Sequence, residues 1–174
     1  MALLRFACAE TPLGPMLVAE TDLGIAAVSR AASLAAFLAA LSTRFPRSDP
    51  APAELDLDWM TDALAGGPLP RVDLRGLPEF DARVYEAVRA VPTGQTVTYG
   101  EVAGLIGSPG AARAVGGAMS RCPLFPAVPC HRVVRASDGW SGWGGDHRLK
   151  RHLLRAERAS ATRGLPVTNH DQLG

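Results

Sequence analysis

Long hydrophobic runs are missing from this 174-residue chain. No apolar stretch approaches the roughly 20 residues that cross a bilayer, and the amino terminus lacks a basic segment followed by an apolar one and a small-residue cleavage site. Neither a membrane span nor a secretory leader is expected. Cysteine is scarce. Cys8, Cys122 and Cys130 are odd in number and widely spaced, which suits reduced thiols in a cytoplasm and excludes a disulfide scaffold. No histidine precedes His131 and there is no Cys-x-x-Cys pair, so the ligand spacing of a zinc site is absent and no metal is expected. Lysine is nearly absent: Lys150 stands alone among 18 basic residues, the rest being arginine. Arginine favours bidentate phosphate contacts, and a GC-rich coding bias gives the same excess. Repeats and low-complexity tracts are also lacking. With 47% hydrophobic residues, the chain has enough apolar material for one large domain or two small ones.

Charge is present but unevenly placed. Residues 1–90 carry 8 basic and 12 acidic side chains, net −4, whereas residues 91–174 carry 10 and 5, net +5. The second half is therefore the one suited to a polyanion. It also holds Pro129-Cys130-His131-Arg132-Val133. Thiolate rather than thiol attacks, so a catalytic cysteine needs a neighbouring base or cation. Neighbours on an extended strand point to opposite faces, so His131 reaches the Cys130 sulfur only through a turn or a bridging water, with a carboxylate elsewhere fixing its tautomer. The pattern predicts a Cys–water–His–acid relay. The blander alternative is a buried structural thiol, and Cys8 and Cys122 are read as structural.

Short strands are expected over 3–8, 16–20 and 24–30, with Thr11-Pro12-Leu13-Gly14-Pro15 and Asp22-Leu23-Gly24 as turns, giving an antiparallel sheet. Ser33 opens a helix whose Leu34, Phe37, Leu38, Leu41 and Phe45 recur at helical spacing and pack on that sheet. Residues 46–58, rich in proline and acid, read as a surface loop. Gly66-Gly67-Pro68-Leu69-Pro70 is a break before a short alternating strand at Val72 and Leu74, and a helix is expected from Phe80 to Arg89 with Phe80, Val84, Ala87 and Val88 on one face. The domain boundary falls near 75–79: a sheet-and-helix scaffold over 1–77, a second domain over 78–160 and a flexible tail over 161–174.

Tyr99 to Ile106 reads as a helix stopped by Gly107, with Ser108 as N-cap and Pro109 as the first residue of a second helix, together a helix-turn-helix. On the second helix Ala112, Val115 and Met119 face inward while Arg113, Gly116, Gly117 and Ser120 face outward, leaving little side-chain bulk around one arginine. A helix-interior glycine costs about 0.8–1 kcal/mol relative to alanine, so two in succession need a reason. Close approach to a DNA groove and tight helix–helix packing both supply one.

Taken together, Thr11-Pro12-Leu13-Gly14-Pro15-Met16, Arg113-Ala114-Val115-Gly116-Gly117-Ala118-Met119, Pro129 through Val134, Ser141-Gly142-Trp143-Gly144-Gly145 and a basic helix carrying Glu157 resemble the O6-alkylguanine-DNA alkyltransferases. The resemblance runs from about residue 3 to about residue 158. It implies an α/β (α+β) fold: an antiparallel sheet with helix, ribonuclease-H-like, followed by a winged helix-turn-helix-like domain. It implies a cytoplasmic monomer, nucleoid-associated when bound, that uses no cofactor and takes double-stranded DNA containing alkylated bases. The alkyl group moves from O6 of guanine, or O4 of thymine, to the protein's own Cys130, once per molecule. The helix over 110–119 lies in the minor groove, with Ala114, Gly116 and Gly117 against the DNA and Arg113 filling the stack. A stacked base cannot present its alkyl carbon in line with a sulfur, so Tyr99 rotates the nucleotide out and donates a proton to the guanine. His131, acting through a water and oriented by Glu157, takes the thiol proton. Arg132 is structural. Trp143, Gly144 and Gly145 form a lid, carbonyls near Cys130 and Val133 read the amino edge of the base, and Met119 and Phe125 line the pocket.

The chain departs from the family pattern in places. Cys122 stands where the family has an asparagine that braces the turn before the reactive strand, and a thiol cannot supply an amide's donors and acceptor. A looser hinge and slower transfer are expected. Trp143 replaces a tyrosine or phenylalanine. Asp146 replaces a glycine, either capping the last helix or placing negative charge near the nucleotide. Phe125 narrows the pocket against bulky alkyl groups. His147, Arg148, Lys150, Arg151, His152 and Arg155 read as a solvated basic face, with phosphate contact as the second reading. Zinc, seen near the amino terminus of some relatives, is not supported. Two other classes stand beside this reading. One is an alkyltransferase-like protein that binds and flips the lesion with little or no transfer, against which Cys130 argues. The other is a DNA-binding regulator, disfavoured because no added module is seen.

Overall fold

The computed structural model describes residues 3–30, 33–137, 139 and 146–163. Strands β1 (Arg5–Thr11), β2 (Gly14–Thr21) and β3 (Gly24–Ser29) form an antiparallel meander, extended by β4 (Ala51–Pro52) parallel to β1 in the order β3-β2-β1-β4. Pairing of Thr11 with Gly14 and of Thr21 with Gly24 leaves two-residue turns. Each threonine hydroxyl accepts the amide two residues on, at 3.1 Å from Leu13 and 3.2 Å from Leu23, which is how short hydroxyl side chains set tight turns.

The segment expected to be loop over 46–58 contains structure. Ala51 and Ala53 donate their amides to the carbonyls of Leu4 and Phe6 at 3.0 and 2.9 Å. Pro52, between them, has no amide and needs none, because that position faces away from β1 at the sheet edge. Helix α2 (Asp58–Leu64) then follows, too short for a helical period to stand out between an acidic stretch and a glycine pair. The strand expected at Val72 and Leu74 reduces to one parallel bridge between Ile25 and Val72. Asp73 ends it by accepting the Arg75 amide on its own carboxylate at 3.0 Å, which bends the chain.

Helix α1 (Leu34–Arg44) is capped by Ser33, whose hydroxyl accepts from the Ala36 amide at 3.2 Å. Its Phe37 and Leu41, with Phe45, bury against Leu4, Ala19, Ala26 and Ala27 on one face of the sheet. Ala26 and Ala27 share that face although they are adjacent, because the β2–β3 register shifts between Ala19 and Glu20 and a bulge breaks the alternation. The opposite face, through Met16, Val18, Ile25 and Val28, joins a larger core with α2, α3 (Glu79–Arg89), α4 (Tyr99–Leu105) and α5 (Ala112–Ser120). β5 (Val97–Thr98) and β6 (Val133–Val134) pair in parallel, and α6 (His147–Arg163) closes the described chain. It runs through the positions at which a tail was expected to begin.

The second helix of the helix-turn-helix begins later than expected. Ser108 is not its N-cap and Pro109 is not its first residue; Ala111 is the N-cap. Ser108-Pro109-Gly110-Ala111 is instead a β-turn closed by the Ala111 amide on the Ser108 carbonyl at 3.0 Å, with Gly110 at φ +89. Proline second and left-handed glycine third is the sequence that a type II turn demands. Among the described residues no helix is long and apolar enough to cross a membrane.

Candidate active site and nucleic-acid face

Cys130 does not sit on an extended strand. Cys130–Arg132 is a single 3-10 turn, entered after Pro129 and leading into β6. The turn aims His131 and Arg132, both buried, at the inner face of α6, where Glu157 is fully buried. His131 Nε2 lies 2.7 Å from Glu157 Oε1. Arg132 spreads its guanidinium over the same carboxylate at 2.9 to 3.2 Å and donates to the Val91 carbonyl at 2.7 Å and to the Thr93 hydroxyl at 3.2 Å. The Gly94 amide adds a fourth donor nitrogen to Glu157 at 3.3 Å. Gly66 closes over this acid at φ +84, where a Cβ would meet Thr93 at 2.7 Å and Glu157 at 3.0 Å, so only glycine fits.

These contacts fix the charges. Burial alone raises the Glu157 carboxyl, but the hydrogen bonds from His131 and Arg132 outweigh it and bring its pKa down to about 2. His131 is held below its ordinary value by burial, against the pull of Glu157. The pair is therefore an ionised carboxylate and a neutral imidazole. Glu157 can only accept, so Nε2 carries the proton and Nδ1 carries the lone pair. Nδ1 is buried and hydrogen-bonds no group among the described residues. An imidazole in this state has one thing to offer, a basic nitrogen.

The Cys130 thiol is 3% exposed and is held well above its ordinary range, first by a hydrogen bond with the Cys122 side chain and then by burial, with Lys150 pulling the other way. Two further residues thus act on the nucleophile, Cys122 by a hydrogen bond and Lys150 by its charge. Cys122 was read as a hinge position; its thiol is a partner of Cys130. Lys150 was read as part of a solvated basic face, and that is corrected: it is 1% exposed and donates Nζ to the Val133 carbonyl at 2.6 Å. The signal was available in the helical period, since Lys150, Leu153, Leu154 and Glu157 fall on one face of α6 and all are buried. Its basic neighbours His147, Arg148, Arg151, His152 and Arg155 are exposed.

Tyr99 is placed by its own helix start. Thr98 and Glu101 form a capping box, with the Thr98 hydroxyl accepting the Glu101 amide at 3.1 Å and the Glu101 carboxylate accepting the Thr98 amide at 2.7 Å. Tyr99 is the first residue inside that cap and lines an open cleft of about 680 Å³ with Arg113 and Gly116 of α5 and with Arg135. Burial raises its pKa, Arg135 opposes that and Cys130 adds to it. The tyrosine thus borders the cleft and packs against the core that holds the buried thiol.

Along α5, Val115, Ala118 and Met119 are buried, and Arg113 and Ala114 are exposed. A methyl on Gly116 would meet only the Tyr99 ring at 3.9 Å, and one on Gly117 only the end of the Arg121 side chain at 3.0 Å. Tight helix–helix packing therefore does not account for either glycine. Val133 and Met119 lie in the core with Cys130, and Phe125 sets its ring edge-on to His131 at 6.0 Å. Asp146 accepts the Leu149 amide at 3.2 Å as a helix cap and pairs with Arg30 at 3.3 Å. The expected lid of Trp143, Gly144 and Gly145 lies outside the described residues. Among the described residues no three His, Cys, Asp or Glu side chains are gathered as metal ligands would be.

Comparison with known proteins bears on the same segment. The family described as 6-O-methylguanine DNA methyltransferase, DNA binding domain, matches residues 79–159. A methylated-DNA–protein-cysteine methyltransferase of Methanosarcina acetivorans is 33% identical over 160 residues, which cover 88% of this chain and 98% of that protein. The chain belongs to this methyltransferase family. The bifunctional transcriptional activator/DNA repair enzyme Ada of Escherichia coli is 35% identical over 92% of this chain and 47% of its own length. For the Mycobacterium tuberculosis methyltransferase the figures are 47% identity, 55% and 58%. The chain thus spans about half the length of these two relatives of the family. Among solved structures, the crystal structure of Mycobacterium tuberculosis OGT in complex with DNA superposes with a TM-score of 0.70 at 33% identity, covering 89% of this chain and 93% of that one. The methyltransferase family shares the mixed α/β arrangement of a small sheet with helices seen here.

Proposed function

We propose that this protein repairs alkylated duplex DNA by taking an alkyl group from O6 of guanine onto Cys130. The observation that carries the reading is the buried neutral His131, held by an ionised Glu157 with its Nδ1 lone pair unused, beside a thiol that does not ionise unaided. A thiol so held needs its proton removed as it attacks. The sulfur bonds the alkyl carbon as the carbon–O6 bond breaks, the thiol proton leaves through a water to His131, and Tyr99 supplies a proton to the guanine. The imidazolium then returns its proton through solvent to the tyrosinate, so the net change moves one proton from thiol to guanine and leaves a thioether.

The exposed face of α5 meets the minor groove with Arg113 in the stack and with Ala114, Gly116 and Gly117 against the backbone. Met119, Phe125 and Val133 shape the alkyl pocket, and the lid comes from Trp143, Gly144 and Gly145. Arg132 and Cys122 act through Glu157 and Cys130. The finer architecture in this proposal is a ribonuclease-H-like scaffold over 1–77 and a winged helix-turn-helix-like domain over 78–160, supported by the family match over 79–159. The protein works as a cytoplasmic monomer, on the nucleoid when bound to DNA.

The test is intact mass and peptide mapping after incubation with a duplex carrying one O6-methylguanine. One methyl on the Cys130 peptide, saturating at one per molecule and absent from Cys130→Ser, is expected. Tight lesion binding with no adduct would overturn transfer and leave a lesion-binding protein.

A further inference from the structure

The cleft beside Tyr99 holds a second guanidinium that the repair chemistry above does not use. β5 and β6 pair in parallel with Thr98 opposite Val134, so the next residue of each strand, Tyr99 and Arg135, leave the sheet side by side. The Arg135 carbonyl accepts the Gly139 amide at 2.8 Å, which pins its backbone, and its side chain is exposed. Arg113 enters the same cleft from α5, and the remaining lining is Thr98, Tyr99, Gly100, Ala112, Gly116, Ala136 and Ser137. No carboxylate among the described residues lines the cleft. Among the described residues neither arginine has an acidic partner. Two guanidiniums held by separate elements, lining one cleft with an aromatic ring and without an acidic partner among the described residues, make a site for an anion rather than for a neutral base.

Resting on the proposed repair function, we infer that Arg135 is a phosphate clamp: its guanidinium takes the backbone phosphate of the extruded nucleotide in bidentate fashion while Arg113 occupies the stack. The division of labour follows from position. Arg113 is carried by the exposed face of α5, whereas Arg135 directly follows β6, the strand that continues from the Cys130 turn. A planar fork fits two phosphate oxygens and a point charge does not, so arginine at this place gives orientation as well as attraction. The same charge lies within reach of the Tyr99 hydroxyl and favours release of its proton.

The test uses the full chain carrying Cys130→Ser, so that binding is read without transfer, and a duplex with one O6-methylguanine. Dissociation constants are measured across a salt series for that chain and for its Arg135→Gln and Arg135→Lys versions. Each phosphate contact contributes about 0.9 to the slope of log affinity against log salt. Arg135→Gln is expected to flatten the slope by about that much with an unchanged melting temperature, and Arg135→Lys to keep the slope while binding more weakly. An unchanged slope in Arg135→Gln overturns the clamp, as does a lysine version that loses as much slope as the glutamine. The parent chain with Cys130 is run alongside for the methyl adduct. If it transfers while Arg135→Gln keeps the parental slope, the clamp alone fails; if it neither binds nor transfers, the repair reading fails with it.

Discussion

Gly116→Ala separates what the fold needs from what DNA needs. In the free protein, the added methyl meets only Tyr99 ring carbons, at an ordinary contact distance of 3.9 Å. Replacing an interior helical glycine then returns about 0.8–1 kcal/mol. For a chain of this size, about 1 kcal/mol raises the melting temperature by about 2–4 °C. On DNA, the same methyl stands on the exposed face of α5 that meets the groove, and about 1.4 kcal/mol of lost contact is a tenfold weaker complex. The expected variant is therefore more stable and binds worse. Thermal unfolding of the free chain and titration of the Cys130→Ser background with lesion duplex read the two effects independently. Higher stability with unchanged affinity would refute the groove assignment. A lower melting temperature would refute the claim that the fold has no use for glycine there. Gly117→Ala is the companion: its methyl would lie 3.0 Å from Arg121 Nη1, so Arg121 must shift and the gain in stability is smaller.

Glu157→Gln leaves Arg132 and His131 without their buried anion, and removal of one partner from a buried pair costs about 3–5 kcal/mol; urea unfolding checks this. The wild-type carboxyl is depressed from 4.5 to about 2, so its contribution is present above pH 4.5 and lost as pH falls through that window. That contribution is roughly 3 kcal/mol, and unfolding from pH 7 to pH 2.5 reads it. Because burial holds His131 below the ordinary imidazole value, the base stays neutral down to about pH 6.5; single-turnover transfer remains level there and declines only at lower pH. Cys122→Asn removes the thiol partner that raises Cys130 and speeds transfer several-fold, and an unchanged single-turnover rate would sink that assignment.

The meander and α1 were legible because their signals are local: alternation, turn residues and a serine cap. The β-turn at Ser108-Pro109-Gly110 was misread because proline suits both the first turn of a helix and the second position of a turn, and only the glycine after it decides between them. β4 was hidden because two residues at a sheet edge leave no periodic trace. At the site, adjacency gave Cys130, His131 and Arg132. Glu157, 26 residues beyond His131, came from resemblance and not from pattern. The Cys122 contact and the burial of Lys150 leave no sequence signal for a common reason: both arise only through the packing of α5, the 3-10 turn and α6. Lys150 carried a further disguise, since a lone buried lysine among exposed arginines reads as one more surface charge. Arg135 has no signal of its own, and its neighbour in space is set by the β5–β6 register.

A nucleophile used once is lost to any stray electrophile or oxidant, and susceptibility follows thiolate character and exposure. Cys130 is kept both protonated and buried, while Cys8 is exposed. Reactivity is thus conditional: the proton leaves only when a base is available and an alkyl carbon has been delivered past Tyr99. Limited iodoacetamide treatment of the folded chain without DNA is therefore expected to label Cys8 well before Cys130, as read by peptide mapping, and brief denaturation is expected to equalise the two. Labelling of Cys130 as fast as Cys8 in the folded chain would mean a standing thiolate, and the His131–Glu157 pair would then have no proton to remove.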